Sequence, residues 1–155
     1  MTRILLVEDE DPKLKHIESR LRAEMPSAAI AVSRSVNSAI AQLEEEIPDL
    51  IVLDMSLPTF DITQVEGGGR PQGFGGVEVL RFLVFNDIET KVIVITGYEA
   101  FPKGDGQVNL TDLEQELGEE FPNLITSVLR FNSAYDVWKV ELDEALASID
   151  FGTRE

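Results

Sequence analysis

Leu50-Ile51-Val52-Leu53-Asp54 is four apolar residues closed by a carboxylate. A run this short, following Pro48 and ending in an acid, reads as a strand buried on both faces. Similar runs stand at Ile4–Val7 and Lys91–Ile95, with weaker ones at Ala29–Val32 and Ile125–Phe131. Between them apolar residues recur at helical spacing. Leu14, Ile17, Leu21 and Met25 mark a first helix, and Val36, Ile40, Leu43 and Ile47 a second. Val77, Leu80, Leu83 and Val84 mark a third, Leu110, Leu113 and Leu117 a fourth, and Trp138, Leu142, Leu146 and Ile149 a fifth. Pro26 and Pro48 close the first two, and Asn109 or Thr111 is expected to cap the fourth. Strands alternating with helices predict an α/β fold: a doubly wound, five-stranded parallel sheet with helices on both faces.

The 155 residues suit a single domain spanning 1–155. Two stretches exceed a minimal strand–helix alternation. Residues at about 59–75 form a glycine-rich insertion, and those at about 98–122 a long acidic connection. Apolar residues make up 43% of the chain, too many for a disordered one. No apolar run reaches membrane-spanning length, so no membrane partner is expected. The absence of cysteine excludes disulfides and thiolate metal sites. A soluble cytoplasmic protein is the expectation. The net charge of −16 repels phosphate backbones and argues against a nucleic-acid partner. Its plainest role is solubility.

In a doubly wound sheet the site lies at the carboxyl ends of the strands. After the first strand come Glu8, Asp9, Glu10 and Asp11, after the third Asp54, and after the fourth Thr96. Taken singly, each acid is an ordinary loop or helix-cap residue. If the first and third strands are neighbours, Glu8, Asp9 and Asp54 converge, and then either some protonate or a cation binds. All-oxygen donors without sulfur or histidine point to Mg²⁺. An aspartate beside Mg²⁺ can attack a phosphoryl group, and a hydroxyl such as Thr96 can bond one of its oxygens.

Four segments in order resemble response-regulator receiver domains. They are Ile4-Leu5-Leu6-Val7-Glu8-Asp9-Glu10, Ile51-Val52-Leu53-Asp54-Met55-Ser56-Leu57-Pro58, Gly76-Val77-Glu78-Val79-Leu80 and Val92-Ile93-Val94-Ile95-Thr96-Gly97. The resemblance implies a flavodoxin-like receiver fold with strand order 2-1-3-4-5. It implies Asp54 as the phosphoacceptor and Mg²⁺ as the cofactor. The metal's ligands would be Asp9, Asp54 and the Ser56 backbone carbonyl, with Glu8 acting through water. Thr96 would bind the phosphoryl group. The implied function is a stand-alone receiver in two-component phosphorelay signalling. It would not be an enzyme beyond catalysing its own phosphotransfer and dephosphorylation. Its partners would be a sensor histidine kinase or phosphotransfer protein and an unknown downstream protein, and the resemblance leaves room for a homodimer.

The chain departs from the family at the end of the fifth strand. The family's Lys-Pro pair, whose lysine meets the phosphoryl group, is absent from Ser127-Val128-Leu129-Arg130-Phe131-Asn132. Arg130 takes that place if one residue is inserted before the last helix, and Phe131 takes it without a gap. The first alignment is preferred, although a planar guanidinium is no neutral replacement for an ammonium. The family's aromatic switch residue is also missing, with Tyr98 or Phe131 as substitutes that read more simply as packing. These departures keep open a second reading, a non-phosphorylated pseudo-receiver that only binds proteins. A third, a Mg²⁺-dependent phosphatase of the haloacid-dehalogenase type, would want an aspartate where Ser56 stands. Gly67-Gly68-Gly69-Arg70 lacks the Gly-Lys-Ser/Thr ending of a phosphate loop and reads as a flexible insertion bordering the Asp54 pocket. His16, the one histidine, reads as a surface residue.

Overall fold

The computed structural model describes residues 2–57, 75–97, 100–103, 106–132 and 134–151, with the backbone alone over 100–110. Pro58, Tyr98 and nearly all of the glycine-rich insertion lie outside the described residues.

Five strands, β1 (Arg3–Val7), β2 (Ala29–Ser33), β3 (Leu50–Leu53), β4 (Lys91–Thr96) and β7 (Ile125–Arg130), form one parallel sheet in the order β2-β1-β3-β4-β7. This is the expected 2-1-3-4-5 order. The connecting helices are α1 (Asp11–Glu24), α2 (Val36–Glu45), α3 (Gly75–Phe85), α4 (Leu110–Glu120) and α5 (Val137–Ser148). Alternation along each strand divides the core between the two faces. Leu5, Val7, Ile51, Leu53, Val92 and Val94 pack with α2, α3 and α4. Ile4, Leu6, Leu50, Val52, Ile93 and Ile95 pack with α1 and α5.

The connection between β4 and β7 differs from the expected loop and helix. An antiparallel hairpin, β5 (Ala100–Lys103) and β6 (Gly106–Asn109), precedes α4 and forms a separate two-stranded sheet. Its strands carry no alternating apolar pattern, and Pro102 reads as a strand breaker. Proline is tolerated only at sheet edges, and a two-stranded ribbon consists of edges. The helix expected from Leu110, Leu113 and Leu117 is present, with Leu113 and Leu117 in the core.

Local chemistry fixes the helix starts that matter for the carboxyl edge of the sheet. Ser35 and Ser38 form a reciprocal capping box on α2. At the start of α3, the Gly76 amide donates to the Met55 carbonyl at 2.8 Å. A Cβ on Gly76 would stand 2.5 Å from the Asp54 carbonyl oxygen and 2.6 Å from the Met55 methyl carbon. One on Gly75 would stand 2.3 Å from the Leu57 carbonyl oxygen. The helix therefore rests directly on the backbone that follows β3.

In an open helix Gly→Ala adds up to about 1 kcal/mol of stability. At Gly76 the clash reverses the sign, and Gly76→Ala is expected to lower unfolding free energy by about 1–3 kcal/mol in urea titrations. A stabilised variant would show that the contact is not close-packed.

Candidate functional site

Strands β1 and β3 are neighbours with Val7 opposite Leu53, so the next residues, Glu8 and Asp54, leave the sheet side by side. Backbone bonds hold both in place. The Glu8 amide donates to the Ser33 carbonyl at 3.0 Å, and the Asp54 amide to the Val7 carbonyl at 3.1 Å. Glu8 and Asp54 are buried, and Asp9 is half-buried. Each of the three offers an oxygen within 4.8 Å of the others. At that spacing, ionised pairs repel by about 3–4 kcal/mol each at an effective dielectric constant of about 20.

The side chain that meets this charge is Lys13. Its Nζ donates to Asp54 Oδ1 at 3.1 Å and lies 2.8 Å from Glu8 Oε1. The second contact is an ion pair outside hydrogen-bond geometry, so Glu8 Oε1 is a buried oxygen without a hydrogen-bond donor. Lys13 sits in the first turn of α1, where Cα–Cβ bonds tilt back toward the helix N-terminus. That tilt carries its stem over the end of β1 into the acids, leaving the side chain only 4% exposed. The sequence reading missed this residue, although a signal was present. Lys13, Ile17 and Leu21 are spaced by four, which puts a charge on the buried stripe of the helix.

The cavity is open, about 580 Å³, and bordered by Glu8, Asp9, Lys13, Asp54, Ser56, Gly97 and Arg130, among others. A larger groove of about 730 Å³ lies near Pro48, Asp49, Thr90 and Lys91, at the amino ends of β3 and β4. Size does not select the site here. Doubly wound folds bind ligands at the carboxyl ends, where the buried acids converge.

Thr96 and Arg130 are register partners at the ends of β4 and β7. Arg130 is exposed on the cavity rim, whereas Thr96 is fully buried behind it. The Thr96 carbonyl accepts the Phe131 amide at 2.8 Å. Phe131 packs on Trp138 with ring centroids 5.1 Å apart, and the exposed His16 ring lies 6.1 Å from it. Its side chain therefore belongs to the core beside α5, the packing role that its composition suggested. Ser56 is buried at the cavity wall.

Burial pushes the Glu8 carboxyl up to about 7, helped by Asp54 and opposed by Lys13. Asp9 is raised by the same two causes, burial first and then Asp54. Burial alone would lower Lys13, but the carboxylates of Asp54 and Glu8 raise it above its ordinary value. Lys13 is therefore an ammonium at every working pH.

The donor set suits a hard divalent cation. It is all oxygen, and three carboxylates converge. Asp9, Asp54 and Ser56 all border the cavity.

The raised Glu8 gives a signed pH dependence. The folded state keeps a proton that the unfolded chain loses near 4.5. Stability of the metal-free protein therefore falls as pH rises from 4.5 to about 7, by no more than about 3 kcal/mol. Urea unfolding of the wild type and Glu8→Gln between these limits should show the wild type losing ground. A difference that does not change with pH would count against the shift.

No family model matches the chain. Among curated proteins, the uncharacterized protein y4jR of Sinorhizobium fredii is 27% identical over 96% of this chain and 99% of its own length. The Detocs response regulatory protein DtcB of Enterobacter cloacae is 23% identical over 95% and 99%. Among solved structures, a response regulator receiver domain protein from Clostridium thermocellum superposes with a TM-score of 0.63 at 19% identity, covering 95% of this chain and 92% of that one. The response regulator protein TrrA of Thermotoga maritima, solved with Mg²⁺-BeF, gives 0.61 at 19% identity, covering 94% and 99%. The fold is that of receiver domains.

Proposed function

We propose that this chain, an atypical receiver domain, accepts a phosphoryl group on Asp54 in two-component signalling. The observation that carries the reading is Asp54 itself. It is buried at the carboxyl end of the central strand, at the edge of an open cavity, with Glu8 and Asp9 within 4.8 Å.

An Asp54 carboxylate oxygen attacks the phosphorus of a phosphohistidine or acyl phosphate. The donor's bond to phosphorus breaks, and its electron pair stays with the donor. Asp9, Asp54 and the Ser56 carbonyl would hold Mg²⁺, with Glu8 acting through water. The ion offsets charge on the transferring oxygens when bound. Thr96 stands at the end of the neighbouring strand to bond a phosphoryl oxygen, which requires its hydroxyl to be uncovered. Arg130 borders the same cavity as a further cation. Water attack on phosphorus later restores the carboxylate. The donor would be a sensor histidine kinase or phosphotransfer protein, and the output a contact with a downstream protein in the cytoplasm, with or without self-association. The similarity to response regulatory proteins supports this assignment. Among the described residues no helix is long and apolar enough to cross a membrane.

Incubation with Mg²⁺ and acetyl phosphate should add the mass of one phosphoryl group to the wild type and none to Asp54→Asn. An equal gain in Asp54→Asn would sink the assignment. No gain in either, under donors that load other receivers, would favour the pseudo-receiver reading, for which the missing Lys-Pro pair is the motive.

A further inference from the structure

We propose that Lys13 is the cation that receives the phosphoryl group, reaching the acceptor from the first turn of α1 and not from the end of β7. The inference rests on Asp54 being the acceptor. Its Nζ already touches Asp54 Oδ1, at 3.1 Å, and Glu8 Oε1, at 2.8 Å. Arg130, the replacement suggested by alignment, stands on the exposed rim of the cavity.

Transfer turns a singly charged carboxylate into an acyl phosphate carrying more negative charge beside the same oxygen. The bond from Asp54 to phosphorus forms as the donor's bond breaks, and Lys13 changes no covalent partner. An ammonium has three donors on a flexible stem. It can keep Glu8 as one partner while turning another donor from Asp54 Oδ1 to a phosphoryl oxygen. Two carboxylates flank it, at 2.8 and 3.1 Å, and favour its charged form. The stem is confined by its neighbours in the core, so this cation arrives with little conformational freedom left to lose.

An ammonium has no acceptor and cannot itself be an ion ligand. Lys13 contacts Glu8 and Asp54, and among the ion pairs described none joins it to the half-buried Asp9. Removing the ammonium therefore takes a positive charge away from the ion's surroundings without removing an ion ligand.

The test compares the wild type, Lys13→Met, Lys13→Arg and Arg130→Met. Phosphorylation by acetyl phosphate with Mg²⁺ is followed by intact mass, and Mg²⁺ binding is measured by calorimetry without the donor. Lys13→Met is expected to load at least about ten-fold more slowly while binding Mg²⁺ as tightly as the wild type or more so. Lys13→Arg should recover part of the rate, and Arg130→Met should be slowed less than Lys13→Met. The proposal fails if Lys13→Met loads normally, or if only Arg130→Met is slow. It also fails if Lys13→Met loses Mg²⁺ and phosphate together, because the lysine then merely holds the acids in place. A wild type that binds Mg²⁺ but takes no phosphate would overturn the acceptor reading itself, and this inference with it.

Discussion

The ammonium of Lys13 lies between Glu8 and Asp54, and the carboxyl edge of the sheet is arranged around that contact. Nothing local favours a lysine there. A cation in the first turn opposes the helix dipole, by about 0.3–1 kcal/mol where exposed, and burial of its charge costs several kcal/mol more. The acids it meets outweigh both terms. Such a pair is weak evidence of net stabilisation, since an apolar replacement of the whole group is often neutral or better. Its presence is better explained by chemistry at the sheet edge than by stability.

That contact depends on register. Val7 lies opposite Leu53, which sends Glu8 and Asp54 off the sheet together. A slip of one residue would turn Leu5, Val7, Ile51 and Leu53 toward the wrong helices. Burial of both faces thus fixes the position of the two acids as firmly as it fixes the core.

Much of this was legible in the chain. The strands are nearly continuous apolar runs, so the doubly wound parallel sheet followed from period and alternation, while its strand order came from the resemblance to receiver domains. The convergence of Glu8, Asp9 and Asp54 followed from strand adjacency. Lys13 was not found, because a lysine one turn into a helix reads as solvated until the stripe shared with Ile17 and Leu21 is counted. The β5–β6 hairpin escaped because two short edge strands need no apolar alternation and can hold Pro102. Thr96 was expected to face a ligand, yet a side chain at the end of a buried strand can be covered by its neighbours, and here it is.

The glycine contact at the start of α3 has a mechanical side. Backbone meets backbone there, with the Gly76 amide bonded to the Met55 carbonyl and only Met55 and Leu57 side-chain atoms beside the two glycines. Side chains act as cushions, since rotamer changes absorb small displacements. The two glycines add none of their own to this junction. The peptide after Asp54 and the first turn of α3 therefore meet with little slack between them.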